Sequence, residues 1–410
     1  MGRKKLKKRI KEDPRILQAR HKRDYIGRLK MVSDQMVGPG WFEKIPPVDV
    51  DIIYEKRYPA LSIKVAPGEH IVEERWERYR RAFLLLLDNT SVMTDSGGAI
   101  PLKMMLCEGL SLLHFIDMMA TDRFAGSEEL RQIFKPHLLT EKGRYYEAAD
   151  ELSFLLFLMD ARNGNYYEGF LLADTEQTNI GKVPLNPNTV FVHLFKPVVS
   201  SIAINGRKRE ILPVSRPAPF DQTLQVIIKP SDIGFKTVTD EPLPLYIQRH
   251  ALLRLDERLG LQPDVVHVHL FFEMFNQPVT YVRGTDHSLI GFCLHNHKVG
   301  YLLTTLHDDK LVIRSFLFLT NDGTPEGRRL RQLTQLEKYD KKYLGIDKLS
   351  TFTAYHIGED EKLSALFREA GCGSLLEVGS LEVMSTSYTP DRNKIELHRY
   401  LNSSSYFESL

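Results

Sequence analysis

Hydrophobic positions change their period near residue 166 of this 410-residue chain. Before that point apolar residues recur every three or four positions, which predicts helices. After it, short apolar runs between Asn-Gly and proline signals predict strands. The predicted helices cover residues 69–89, 102–121, 127–135 and 141–160, and the predicted strands begin at Gly169, Thr189, Ser200 and Thr223. The first half is therefore predicted to be a helical layer followed by a small sheet.

Residues 241–340 predict a second unit with the element order α-α-β-β-β-β-α. The first helix is expected over Leu245–Gly260, and the second begins at Pro263, a residue favoured in a first helical turn. Short polar connections join the four apolar strands, which predicts an antiparallel meander. The predicted strands are Val279–Arg283, Ser288–Leu294, Val299–Leu306 and Leu311–Thr320. A last helix should follow Thr324, which can cap it with Pro325 at its first position.

These patterns predict an α+β protein with four parts. They are a basic extension (1–40), an α+β domain of unknown role (41–235), the unit at 241–340, and a C-terminal α/β extension packing on the core (341–410). Residues 1–30 hold thirteen Lys and Arg against three acids, although the whole chain has a net charge of only +2. Such a basic segment predicts a contact with RNA or the ribosome, and a solvated tail is the alternative. The candidate RNA-binding residues are Lys4, Lys5, Lys7, Lys8 and Arg9.

Composition excludes several classes of protein. No apolar run reaches about 18 residues, so we expect no membrane span. The basic N-terminus lacks the apolar stretch of a signal peptide, and the three cysteines form no Cys-x-x-Cys pair, which favours a reducing cytoplasm. The glycines near Thr94 lack the Gly-Lys-Ser/Thr ending of a phosphate loop, and we expect no cofactor.

The predicted helix at Leu245–Gly260 carries the most informative chemistry. His250, Arg254 and Arg258 stand four residues apart and would share one helical face. Leucines on the opposite face would dock that helix on a core. An imidazole beside two permanent cations suits a phosphodiester, because the imidazole can move a proton while the cations hold the phosphate.

The motif His250-Ala-x-x-Arg254-x-x-Glu-Arg258, followed by a second helix and a meander ending at Thr320, resembles the barnase/EndoU/RelE-like RNase fold. The resemblance is to small domains of phages and mobile elements, and it covers residues 241–340. It implies a metal-independent ribonuclease of the toxin or defence type with His250, Arg254 and Arg258 in its site.

The alternation of side chains along a strand suggests further candidates on the predicted sheet. Arg314 and Thr320 share one face of the last predicted strand, with Phe316 and Phe318 between them. Tyr301 lies on the preceding predicted strand. If the register aligns the polar sets, Arg314, Thr320 and Tyr301 would line a substrate groove. Arg314 is the strongest of the three, since a charge among apolar strand residues needs a partner.

These residues suggest a mechanism in which the RNA 2′-hydroxyl attacks the adjacent phosphate, giving a 2′,3′-cyclic phosphate. His250 would act as general base or acid, and the arginines would stabilise the phosphorane. The large N-terminal part would then target or regulate the nuclease, with a protein inhibitor or activator as a further partner. Two alternatives stay open: a non-catalytic RNA- or ribosome-binding protein, and a structural or partner-binding protein of a phage or mobile element.

Histidines are concentrated in the same unit, yet their spacing does not predict a metal site. On the predicted second helix, His267 and His269 diverge by about 200°. His295 and His297 flank a predicted hairpin turn, with no carboxylate or thiolate at convincing spacing.

Overall fold

The computed structural model of the chain is a mixed α+β protein that divides into two compact units. Unit 1 comprises Met1–Asp160 and Ala173–Leu194, and unit 2 comprises Ala161–Leu172 and Phe195–Leu410. The structure describes residues 13–94, 98–138, 144–161, 163–166, 168–175, 188–218, 222–237, 239–261, 263–270, 279–355 and 357–379. No helix in those ranges is both long enough and apolar enough to cross a membrane.

Up to residue 195 the described chain is mainly helical, as its apolar spacing predicted. The helices are α1 (Pro14–Val37), α2 (Pro47–Glu55), α3 (Glu73–Asn89), α4 (Leu102–Met104), α5 (Leu110–Met118), α6 (Ser127–Phe134) and α7 (Arg144–Ala161). The strands are β1 (Ser62–Val65), β2 (Ser91–Met93), β3 (Ala99–Pro101), β4 (Gly164–Asn165), β5 (Gly169–Thr175) and β6 (Thr189–Phe195). β1 pairs with β6 in parallel, and a π-helical turn at Met105–Gly109 joins α4 to α5.

Helix α1 belongs to the core of unit 1 and is not an extension from it. Tyr25, Leu29 and Val32 lie on its buried side, at the helical spacing of an apolar stripe. Arg28 donates a 2.6 Å hydrogen bond to the buried carboxylate of Glu108 on the π-helical turn. The basic segment was predicted to be an extension, whereas its residues 14–37 form a helix with a buried side. Lys4, Lys5, Lys7, Lys8 and Arg9 lie outside the described residues.

Unit 2 is built on one large sheet with the strand order β13-β14-β15-β16-β12-β8-β7, and β11 also pairs with β12. The strands are β7 (Ser200–Ile204), β8 (Arg207–Pro213), β9 (Ser215–Ala218), β10 (Gln222–Gln225), β11 (Ile227–Ile228), β12 (Leu243–Gln248), β13 (Tyr281–Arg283), β14 (Ser288–Leu294), β15 (His297–His307) and β16 (Lys310–Phe318). The helices are α8 (Arg249–Leu259), α9 (Pro263–Val268), α10 (Pro325–Thr334), α11 (Lys338–Tyr343), α12 (Leu349–Ala354), α13 (Glu361–Glu369) and α14 (Gly373–Gly379). The predicted meander β13 to β16 is confirmed as antiparallel.

The largest difference from the predicted order lies at residues 243–248. These residues form strand β12 and not the first turns of a helix, so α8 begins at Arg249. Leu245 and Ile247 alternate into the core, and Pro244 disfavours a helical backbone before it. β12 pairs antiparallel with β8 and parallel with β16. The sheet thus includes β7 and β8, and unit 2 extends across the predicted domain boundary near residue 241.

The end of β16 and the C-terminal helices close the core of unit 2. Thr324 caps α10 as predicted, and its hydroxyl accepts a 2.9 Å hydrogen bond from the backbone of Gly327. Phe352, Leu363 and Phe367 bring α12 and α13 into the same core as β12 and β16. Between residues 341 and 379 the described chain is helical, whereas an α/β extension was predicted.

Candidate functional site

A cleft of about 840 Å³ opens where β12 gives way to helix α8. The pairing register aligns Gln248, the last residue of β12, with Ile211 of β8, and Ile247 with Ile313 of β16. The first turn of α8 therefore lies between two strands. On one side are the β8 residues just before Ile211, and on the other are the β16 residues just after Ile313. The cleft is lined by Ile204, Asn205, Arg207, Lys208, Arg209, Glu210, Gln248, Arg249, His250, Leu303, Arg314 and Ser315.

A β-bulge brings Arg314 into the cleft. Leu303 of β15 pairs with Ser315, but the next residue, Thr304, pairs with Ile313, so Arg314 is the extra residue on β16. In a regular strand Arg314 and Ser315 would point to opposite faces, whereas here both line the cleft. The bulge also separates Arg314 from Phe316, which is buried in the core although it was predicted to share a face with Arg314.

Strand β8 supplies three cations that the sequence reasoning missed. Asn205 and Gly206 both have positive φ, at 51° and 70°, and form the two-residue turn of the β7–β8 hairpin. The following Arg207, Lys208 and Arg209 run past the paired end of β12. Because these residues are charged, they lack the apolar pattern that predicts a strand. The Asn-Gly turn after the predicted strand at Ser200 was the signal for a partner strand.

Positive charge dominates the cleft. Its five permanent cations, Arg207, Lys208, Arg209, Arg249 and Arg314, face a single carboxylate, that of Glu210. Glu210 lies 3.6 Å from Arg249. In the described part of the chain, the side chains of Arg209 and Arg314 form no ion pair or hydrogen bond, although Arg209 pairs with Ile202 through the backbone of β8. Five cations beside one carboxylate in a concave surface concentrate positive potential, which favours an anionic ligand.

The environment of His250 favours the neutral form of its imidazole. Partial burial lowers the pKa of His250 below its usual 6.5, and the charges of Arg254 and Arg209 lower it further, against the opposing effect of Glu257. A neutral imidazole can accept a proton from a hydroxyl group. His250 therefore combines access to the cleft with the protonation state of a general base.

The start of α8 adds fixed donors to the cleft. Gln248 precedes the helix without a side-chain capping bond, so the helix N-terminus presents backbone N–H groups and a partial positive charge. The Gln248 side chain is 7% exposed, and its Nε2 has no hydrogen-bond partner among the described residues. An unpartnered buried donor is costly, and an anion bound at the helix end would satisfy it.

The predicted site residues do not all meet in this cleft. His250 and Arg314 line it, whereas Arg254, Arg258 and Thr320 line a second pocket of about 180 Å³ farther along α8. There Arg254 pairs with Glu257 and Arg258 with the buried Asp347. The buried Thr320 hydroxyl donates a 2.8 Å bond to the carbonyl of Ile346.

Tyr301 lies in neither pocket. Its hydroxyl donates to Glu326 Oε1 at 2.8 Å and accepts from Lys298 Nζ at 2.9 Å. Only 3% of Tyr301 is exposed, which leaves no face on which a base could stack. Tyr301 pairs with Leu317, two residues farther along β16 than Ser315, the cleft residue that pairs with Leu303.

The neighbouring histidines are parts of the packed interior or of turns. His267 is buried against Tyr166 and Phe170, and His269 against Phe292. His295 has a positive φ of 47° in the β14–β15 turn. Among the described residues, no group of three or more His, Cys, Asp or Glu side chains could hold a metal ion.

Comparisons with known protein families, curated proteins and solved structures found no match to this chain.

Proposed function

We propose that unit 2 is an endoribonuclease that cleaves RNA in the cleft at the start of α8 without a metal ion. The observation that carries the proposal is that the imidazole of His250 and the guanidinium groups of Arg209 and Arg314 line one open cleft. Among the described residues neither guanidinium group forms an ion pair, and the surroundings of His250 lower its pKa, which favours the neutral imidazole. A polyanion is the ligand that this charge favours. A proton acceptor beside the phosphate is what the adjacent 2′-hydroxyl needs in order to attack.

In the proposed reaction, His250 takes the proton of the 2′-hydroxyl as its oxygen bonds to phosphorus. Arg314, Arg209 and the N–H groups at the start of α8 stabilise the charge of the phosphorane. The bond to the 5′-oxygen then breaks, and that oxygen takes a proton from water in the open cleft. The products are a 2′,3′-cyclic phosphate and a 5′-hydroxyl, and His250 returns its proton to solvent. A role as a toxin or defence effector, with unit 1 as the targeting or regulatory part, stays a prediction.

The test is to incubate the purified full-length protein with total RNA, with and without EDTA, and to identify the product ends. We expect cleavage that survives EDTA and leaves 2′,3′-cyclic phosphate and 5′-hydroxyl ends. Binding of RNA without any cleavage would overturn the nuclease and favour the non-catalytic RNA-binding alternative. Cleavage that EDTA abolishes, or that leaves 5′-phosphate ends, would overturn the mechanism.

The salt dependence of RNA binding should show whether the cations of the cleft contact the RNA. Each cation that contacts a phosphate of single-stranded RNA contributes about 0.7 to the slope of log Kobs against log salt concentration. Arg209→Ala should therefore reduce that slope by about 0.7 and weaken binding. Arg283→Ala is the matched control, because Arg283 is an exposed arginine on β13, at the opposite edge of the sheet. Equal slopes for the two variants would show that Arg209 of β8 does not contact the RNA.

A further inference from the structure

The second pocket on α8 has the composition of a nucleotide subsite. It is lined by Arg254, Lys338, Tyr339 and Lys342, together with residues that hold the fold. The latter include Lys341, which is buried and donates to Asp322 and to the carbonyl of Thr320. Lys338 and Lys342 are exposed, and neither makes an ion pair within the described chain. They stand four residues apart on α11 and therefore share one helical face.

Tyr339 is the most exposed large hydrophobic side chain of unit 2 in the described ranges, at 84%. A ring so exposed contributes little to the core, because nearly all of its surface stays in water. An exposed aromatic ring beside cations is the arrangement with which proteins bind single-stranded nucleic acid. The base stacks on the ring, and the cations contact the backbone.

Helix α8 connects this pocket to the cleft. His250 lines the cleft and Arg254 lines the pocket, one helical turn or about 6 Å farther along the axis. α8 packs against β16, which passes from Arg314 at the cleft to its end just before Thr320 at the pocket. A strand of RNA lying along α8 would therefore meet the two sites in succession.

We propose that the second pocket binds a nucleotide of a single-stranded RNA that lies beyond the two nucleosides joined by the cleaved phosphodiester. Its base stacks on Tyr339, and its phosphate is held by Lys338, Lys342 and Arg254. The RNA must be single-stranded there, because a base inside a duplex is stacked on its neighbours and leaves no face free for the ring. The inference rests on the proposed function for the position of the cleaved bond, but stacking on Tyr339 does not require cleavage.

The test compares short and long substrates of the full-length protein. The short substrate is a pool of the sixteen dinucleoside monophosphates, and the long one is an unstructured RNA decamer. Tyr339→Ala should raise KM for the decamer about 5- to 150-fold, the loss expected for one stacked base. It should leave kcat/KM for the dinucleotides unchanged, and Tyr339→Phe should restore the decamer KM. Tyr343→Ala is the control, because Tyr343 lies on the same helix, is exposed and lines neither pocket.

The outcomes separate the subsite from the nuclease. A decamer KM that Tyr339→Ala leaves unchanged, in a wild-type protein that cleaves, would overturn the subsite and leave the proposed function standing. If the wild-type protein does not cleave, decamer affinity measured by fluorescence anisotropy replaces KM. Weaker binding by Tyr339→Ala than by Tyr343→Ala would then support the subsite without the nuclease, and equal binding would overturn it. Melting temperatures confirm that each variant is folded.

Discussion

Replacing His250 with alanine should lower kcat for RNA cleavage about 10²- to 10⁴-fold, the contribution typical of one positioned general base. RNA affinity should change little, because the cations of the cleft remain and the imidazole is neutral near pH 7. Single-turnover cleavage and filter binding on the same preparation separate the two effects. His287→Ala is the matched control, since His287 is a partly exposed histidine that pairs with Asp286 and lines neither pocket.

The pH dependence of cleavage provides a second readout of the same residue. A general base works only when deprotonated, so kcat/KM should rise with pH through the pKa of His250, which lies below 6.5, and level off near neutrality. Arg254→Ala removes a charge that lowers this pKa, so the midpoint should move to higher pH. Arg283→Ala should leave it in place. A midpoint unaffected by Arg254→Ala, or cleavage that persists in His250→Ala, would assign the base to another group.

Arg258→Met should destabilise the protein by about 3–5 kcal/mol, because it leaves the Asp347 carboxylate buried without its partner. The side chains of Arg258 and Asp347 are only 11% and 8% exposed. Arg258 also donates a 3.2 Å hydrogen bond to the Asp347 carbonyl, and so ties α8 to the segment before α12. Arg254→Met is the control, since its pair with Glu257 is more than a third exposed and should contribute under about 1 kcal/mol.

Urea unfolding of the full chain measures this effect. Trp41 and Trp76, the two tryptophans of the chain, both belong to unit 1. Tryptophan fluorescence therefore reports unit 1, and far-ultraviolet circular dichroism reports both units. The double variant Arg258→Met/Asp347→Leu should recover most of the loss, because it removes both buried charges. If Arg258→Met unfolds at the same urea concentration as Arg254→Met, the ion pair does not stabilise unit 2.

Local signals in the sequence were sufficient for many elements of the fold. The apolar runs and short polar loops of β13 to β16 specify an antiparallel meander, and Thr324-Pro325 specifies the start of α10. The helical face of α8 from His250 onward was also predictable from its spacing. In each case the determining residues are close together in the sequence.

The parts that could not be predicted depend on distant residues. Leu245 fits the apolar face of a helix as well as the buried face of a strand, and only its partners on β8 and β16 decide between them. The bulge at Arg314 comes from the pairing between β15 and β16. Beyond a bulge, the alternation of residues along the sequence no longer tells which face of the sheet a side chain occupies. From the sequence alone Arg258 is predicted to be a free cation, because its partner Asp347 is 89 positions away in the chain.

The parallel pairing of β12 with β16 also sets when the cleft can form during synthesis. Leu245 pairs with Leu311, 66 positions later, while the meander pairs neighbours in the chain. Parallel pairing across such a distance is slow because loop closure must come first. A nascent chain that ends before Arg314 carries His250 but lacks a wall of the cleft. We therefore expect the cleft to assemble only after Arg314 has left the translating ribosome.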